Sequence, residues 1–283
     1  MKFIILLFLF SANLFATKQN DTPIIIKLAV TNSILSSYNK ILEGKSWSEL
    51  KTYTHPSMNR GVVEILLLHK AFEVSGLNIK FDFVIVPNHT RSIKYSKQIN
   101  ILMPTETVWL SSVEEEDFYI STPIISDGEY EKGVYVLKEK LSLYKIENLS
   151  DLKKLTAISS LDWTVDWRTL QLMDVNKQST SHFESMMYML KHGRADFLLL
   201  EFTSNDDLSR EEYGVAIAPV SNIKIGLKGS RHFIVNKKHK ESEFIYNALE
   251  RGLKVLRDKG EIAKALRESG FQNKKTTNWI KIN

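Results

Sequence analysis

The sequence contains no cysteine. That excludes a disulfide framework, a thiolate metal site, a cysteine nucleophile and a lipid-modified amino-terminal cysteine. No segment has the roughly 20 consecutive apolar residues that a membrane-spanning helix needs. The seven histidines show no HExxH or other metal-ligand spacing. There is no G-x-S-x-G elbow and no phosphate-cradling glycine loop. Neither charge sign dominates, with 38 basic against 33 acidic residues, and the basic ones are spread through the chain in clusters no larger than Lys237-Lys238 and Lys274-Lys275. A solvated surface fits that distribution, and a nucleic-acid-binding face does not. The acidic run Glu114 to Asp117 reads the same way, as a solvated helix face.

What the chain does have is length and a core. Its 283 residues, 43% of them hydrophobic, are enough for two domains of ordinary size. The opening MKFIILLFLFSANLFA carries one lysine, an apolar run from Phe3 to Phe10 and a small residue at Ala16. This is the pattern of a secretory signal peptide cleaved after Ala16, with the run too short to span a bilayer. Cleavage removes Lys2 and takes the net charge from +5 to +4. An exported chain that does without disulfides needs a large core, which points to a bacterial periplasm.

Thr17 to Thr22 form a polar tail, and Pro23 then introduces an apolar strand, Ile24 to Val30, with Thr31, Asn32 and Ser33 at its carboxyl end. Residues 36 to 58 read as an extended loop carrying a short helix. Val62 to Val74 has helical spacing, Ile79 to Val86 is a strand closed by Pro87, Arg91 to Ser96 a short helix and Ile99 to Met103 a third strand. Phe118 to Pro123, leading into Gly133 to Leu137, has the look of a crossing between lobes. Leu149 to Lys154 is a short helix for which Ser150 is a candidate cap, followed by a strand at Leu155 to Ile158 and a loop from Ser159 to Arg168 that opens the next helix. Phe183 onward places Met186, Met187 and Leu190 on one helical face, and Met186, Met187 and Met189 read as core filler. The helix stops at His192-Gly193, and Ala195 to Leu200 is a strand that finishes on Glu201. Ligands in open α/β sheets bind at the carboxyl ends of strands, so Glu201 is either a ligand contact or a solvated residue starting a loop. Val215 to Ala218 and His232 to Val235 are further strands, and helices over Glu243 to Lys259 and Glu261 to Ser269 close the chain.

The order of these motifs resembles the family 3 periplasmic solute-binding proteins. The resemblance rests on Arg60-Gly61-Val62-Val63-Glu64-Ile65-Leu66, similar to the family's glycine-led first helix, and on Phe118 to Ile124, similar to its stretch before the hinge. It rests also on Gly193-Arg194-Ala195-Asp196 with Glu201, and on Arg231 to Val235 with the Leu249 to Gly260 helix. The resemblance implies a two-lobed α/β fold of the type II periplasmic-binding-protein kind, each lobe a sheet flanked by helices, joined by two crossing strands. Its divisions would be a signal peptide at 1–16, a first lobe at 17–127, a second at 128–230 and a return to the first at 231–283. It implies capture of a small polar molecule by hinge closure, for an inner-membrane permease or a sensor, by a monomer with no cofactor and no nucleic-acid partner.

Two family devices for an anionic group are absent. Pro104-Thr105-Glu106-Thr107-Val108-Trp109-Leu110 has no arginine where the family clamps a ligand carboxylate, and Ser159-Ser160-Leu161-Asp162-Trp163-Thr164 replaces the family's G-T turn, with Asp162 repelling an anion. Glu201 matches the acidic position that meets a ligand ammonium. The ligand is therefore neutral or cationic, or Arg91 replaces the missing clamp. The candidate ligand-binding set is Glu201, Asp162, Trp163, Thr164, Arg91, Thr105, Glu106, Asn32 and Ser33. Trp163 could stack on a ring or a cation, whereas Trp109 and Trp167 read as packing, and Arg168 as a partner of Asp166 or solvent. An enzyme on the same scaffold, dehydratase-like, would need Glu201, Glu106 or Asp162 as an acid or base with a raised pKa. A partner domain that binds no ligand is the third reading.

Overall fold

A computed structural model describes residues 22–283; the signal peptide, the cleavage after Ala16 and the tail up to Asp21 lie outside the described residues. Strand Ile24–Thr31 is the centre of a three-stranded parallel sheet. Ile79–Val86 flanks it along its whole length on one side, and Met103–Pro104 pairs with Leu28 and Ala29 on the other. Helices Asn32–Leu42, Arg60–Val74 and His89–Tyr95 connect these strands. Parallel neighbours need such crossovers, because a hairpin turn cannot return the chain to the same end of a sheet. Two of these three helices start at an asparagine cap: Asn59 Oδ1 accepts from the Val62 amide at 3.1 Å, and Asn88 Oδ1 from the Arg91 amide at 2.9 Å.

Past Phe118–Ile120 the chain enters a second, six-stranded sheet built on Tyr130–Leu137. Strands Arg210–Glu212, Val215–Pro219, Tyr130–Leu137, Ile223–Leu227 and Ile280–Lys281 follow one another across it, and Leu198–Leu200 also pairs with the central strand. The parallel pair Thr156–Ser159 and Asn176–Ser179 joins this body through a bridge from Ala157 to Phe197. Helices Leu149–Leu152, Thr164–Leu172 and Phe183–Lys191 cover it. The last of these buries Met186, Met187 and Leu190, as its spacing requires, and Gly193 ends it at a φ of +65°.

The chain then returns. Arg231–His232 pairs with Val108–Trp109, and Ile234–Asn236 pairs with Phe118–Ile120, both antiparallel. Helices Ser242–Asp258 and Glu261–Glu268 pack beside Arg60–Val74. That contact is close: a Cβ on Gly252 would lie 1.9 Å from the Ala71 carbonyl oxygen, so only glycine fits. The result is a two-lobed mixed α/β molecule. Its carboxyl-terminal tail runs back to the second sheet, where Ile280–Lys281 lies parallel to Ile223 and Lys224 and Asn273 donates to the Thr203 carbonyl at 2.7 Å.

Several elements differ from the sequence reading. The short helix expected within residues 36 to 58 is the end of a longer one, Asn32–Leu42, which starts before that segment and whose buried side chains are Tyr38 and Ile41. The third strand is Met103–Pro104, not Ile99 to Met103: Ile99 is 71% exposed, and the chain reaches the sheet only at Leu102. Asn148, not Ser150, caps the Leu149–Leu152 helix, accepting from the Ser150 and Asp151 amides. The Glu201 strand is shorter, Leu198–Leu200.

Candidate functional site

The chemistry between the sheets is organised by Arg60, the first residue of its helix. Three of its nitrogens meet three carboxylates. Nε donates to Glu201 Oε1 at 2.9 Å, Nη1 to Glu64 Oε2 at 2.7 Å and Nη2 to Glu106 Oε1 at 3.2 Å. Glu64 lies one turn along the same helix and Glu106 just past strand Met103–Pro104, both with the first sheet; Glu201 follows strand Leu198–Leu200 of the second. Arg60 therefore ties the two lobes. Its side chain is 11% exposed, those of Glu64 and Glu106 0% and 9%, and that of Glu201 22%. Charges this far from water persist only with partners on every side.

A second layer supplies those partners. Glu64 accepts from the Thr107 hydroxyl at 2.6 Å and the Thr107 amide at 2.8 Å. Arg231, in the returning segment, donates from Nε to that hydroxyl at 3.0 Å and from Nη2 to the Thr107 carbonyl, with its guanidinium 5.0 Å from the Trp109 ring centre. The Tyr130 hydroxyl donates to Glu201 Oε1, and Arg210 holds the Glu201 carbonyl at 2.8 Å. Tyr130 rests against Trp109 and Phe271, so the junction of the lobes is walled by aromatic rings.

The electrostatics follow from this geometry. Burial alone would raise the Glu201 carboxyl. The charges of Arg60 and Lys132, with hydrogen bonds from Tyr130 and Arg60, overcome that and hold it at about 2. Burial likewise opposes ionisation of Glu106, but His89, Arg60 and Arg231 bring it down to about 2. Burial would lower Arg60; the carboxylates of Glu64, Glu201 and Glu106 and the Tyr130 phenol raise it well above its ordinary value. Burial pushes the Tyr130 phenol up, the Glu201 charge adding to it, so it stays a donor. An acid or base working near neutral pH needs a raised carboxyl. Glu201 and Glu106 are moved the other way, against the enzyme reading of those two residues.

Of the sequence candidates, this network brings together Glu201 and Glu106. Trp163 stands close by: Lys132 Nζ, 2.6 Å from Asp166 Oδ1, lies 5.4 Å from the Trp163 ring centre. Asp166 thus pairs with Lys132 and not with Arg168. Thr105, fully buried at the end of strand Met103–Pro104, has a hydroxyl without a hydrogen-bond partner. Asp162 and Thr164 are exposed beside Trp163, Asp162 with its amide on the Ser160 hydroxyl at 3.1 Å. Arg91, exposed in the His89–Tyr95 helix, and Asn32 and Ser33, exposed in the first turn of theirs, make no bond to the Arg60 network.

Sequence reasoning missed Arg60, Glu64, Tyr130 and Arg231. One signal was available. Glu64 stands alone in the apolar run Val62 to Leu68, four residues after Arg60, and a lone carboxylate on a buried helix face calls for an i,i+4 cation. It also missed Ser159, 3% exposed at the carboxyl end of Thr156–Ser159, and His89, whose Nδ1 stands 3.7 Å from Glu106 Oε2. Ser159 Oγ and His89 Nδ1 are, like the Thr105 hydroxyl, buried atoms without a hydrogen-bond partner. Two surface depressions, of about 210 and 290 Å³, share no residue with the network; Asp206, Lys275 and Trp279 line one, Leu141 and Tyr144 the other. No group of three or more His, Asp or Glu residues suited to a metal occurs among the described residues.

No protein-family model matches the chain, and no curated protein matches it in sequence. Its fold does match solved structures. It aligns with the probable amino-acid ABC transporter extracellular-binding protein YtmK of Bacillus subtilis at a TM-score of 0.59 and 13% identity, over 88% of this chain and 99% of that one. A mutant of the ArgBP protein of T. maritima aligns at 0.51 and 13% identity, over 87% and 94%. The periplasmic VFT2 domain of BvgS from Bordetella pertussis aligns at 0.54 and 12%, over 86% and 93%. At these identities the likeness is one of fold: the chain has the two-lobed α/β architecture of amino-acid-type solute-binding proteins, with its own arginine set between the lobes.

Proposed function

We propose that this protein is an exported solute receptor that captures a small, neutral polar molecule between its lobes by hinge closure and serves a membrane transporter or a sensor. One observation carries the reading. Thr105 and Ser159 are buried, lack hydrogen-bond partners, and end strands in different lobes. A buried hydroxyl without a partner is costly, by about 1–3 kcal/mol, and a ligand that bridges the two would relieve both. Their position at carboxyl ends of strands is where such folds take ligands. Glu106 and Glu201 already share Arg60 as a partner, and the groups left to a solute are the two uncharged hydroxyls of Thr105 and Ser159.

Closure would follow from differential affinity: a solute that touches Thr105 and Ser159 together binds only the state in which the lobes approach. Two of the compared proteins are named as an amino-acid ABC transporter binding protein and a periplasmic domain, which supports a permease or sensor partner and a periplasmic location. The test is a thermal-shift panel of neutral amides, polyols, sugars, amino acids and polyamines. A clear rise with one neutral polar class, and recovery of that compound unchanged, supports capture. Conversion of the compound to a product would favour an enzyme on this scaffold.

A further inference from the structure

The three carboxylates around Arg60 are arranged around three different nitrogens of one planar group. Glu201 takes Nε, Glu64 takes Nη1 and Glu106 takes Nη2, all within 3.2 Å. An ammonium has no such planar, three-sided set of donors, whereas a guanidinium matches it. The cage is rigid where it matters. Glu64 is locked by both the amide and the hydroxyl of Thr107, and Glu201 by the Tyr130 hydroxyl. It is also reachable, because the Glu201 side chain keeps 22% of its surface in contact with solvent. Arg231 is itself committed to Thr107, the residue that locks Glu64, and lies 5.0 Å from the Trp109 ring centre.

From this we infer that Arg60 is a tethered guanidinium ligand: it occupies the protein's cation site, denies Glu201 to solute ammonium groups, and is thereby the residue that sets the charge class of solute the protein accepts. The inference deepens the functional reading above and rests on it only for the identity of the natural solute. The cage itself can be examined with simple cations. Shortening Arg60 leaves the carboxylates in place around a guanidinium-shaped space, so a small alkylguanidinium becomes a ligand.

The experiment compares the wild type, Arg60→Ala and Arg60→Ala/Glu201→Gln in thermal-shift and calorimetric titrations with methylguanidinium, and with methylammonium as control, all at millimolar concentrations. The expected result is saturable binding of methylguanidinium to Arg60→Ala, tighter than methylammonium by at least about tenfold, or about 1.4 kcal/mol. The same compound should not bind the wild type, whose cage is filled, and should bind the double variant far more weakly. If Arg60→Ala does not accumulate as folded protein, Arg60→Ser, which leaves the same space open, takes its place. Absence of binding in the folded variant, equal binding of the two cations, or equal binding to the wild type overturns the inference. None of these outcomes depends on the solute panel. A neutral solute that stabilises the wild type leaves the functional reading standing even if the cage fails to bind methylguanidinium.

Discussion

The pair most exposed to test is Arg60 with Glu201, because it joins the two lobes directly. The Glu201 carboxyl is held at about 2 against an ordinary 4.5, so its charged form is favoured by roughly 3 kcal/mol. Arg60 is the first of the favourable causes, and a gross attraction at 2.9 Å is about 6 kcal/mol in a medium of effective dielectric 20, before desolvation is subtracted. A net coupling of about 2–3 kcal/mol follows. The assay is a double-mutant cycle in chemical unfolding with Arg60→Ala, Glu201→Ala and the double variant at pH 7. Arg60→Ala alone should cost about 3–5 kcal/mol, since it leaves three carboxylates without their shared cation. Glu201→Ala should also cost stability, which a residue at a solvated strand rim would not. The double variant should be more stable than the sum of the singles by the coupling. A coupling below about 0.5 kcal/mol, the value of an exposed pair, would refute the claim that this contact is buried and bridging.

Acid should act in two stages. His69 is packed between Trp47 and Phe81 and bonded to the Tyr38 hydroxyl at 2.9 Å; burial lowers its pKa to about 3. Its unfolded value is near 6.5, so the unfolded chain binds the proton first and stability should fall by about 1.4 kcal/mol per pH unit below 6.5. Replacing His69 by Phe should remove that first stage, as read from melting temperatures between pH 7 and 5. Below pH 4.5 Glu106 and Glu201, both depressed to about 2, should add about 2.7 kcal/mol per unit of further loss, while above 4.5 their contribution is complete. Gly252→Ala puts a methyl 1.9 Å from the Ala71 oxygen, so it should cost more than about 3 kcal/mol or prevent folding; a neutral effect in unfolding experiments would contradict the helix contact.

Much of the framework could be read from local pattern. Ile79–Val86 was bounded correctly because Gly76 and Pro87 punctuate an apolar run, and the Phe183–Lys191 helix because its apolar side chains recur at helical spacing. Strands without such a pattern escaped. Asn176–Ser179 is almost wholly polar, and Ile280–Lys281 is a two-residue addition to an existing edge, each formed by pairing and not by burial of its own side chains. Asn32–Leu42 was hidden by its serines and asparagines, which favour turns in isolation, and it is a helix because Tyr38 and Ile41 pack inward. At the site, Glu201 was legible as an acid at a strand end, but its partner lies 141 positions earlier. No local rule connects them. Only the fold, by bringing the start of one helix against the end of a strand from the other lobe, sets that acid in an ion pair between the lobes.

On the proposed reading, a neutral polar solute bridges Thr105 and Ser159. Calorimetric titration of the strongest compound from the solute panel into the wild type and into Thr105→Val/Ser159→Ala tests it most directly. Saturable binding to the wild type is expected, with a loss of at least about thirtyfold in the double variant, equivalent to about 2 kcal/mol for two hydrogen bonds. A dissociation constant unchanged between the two proteins, both folded by their melting curves, would contradict it.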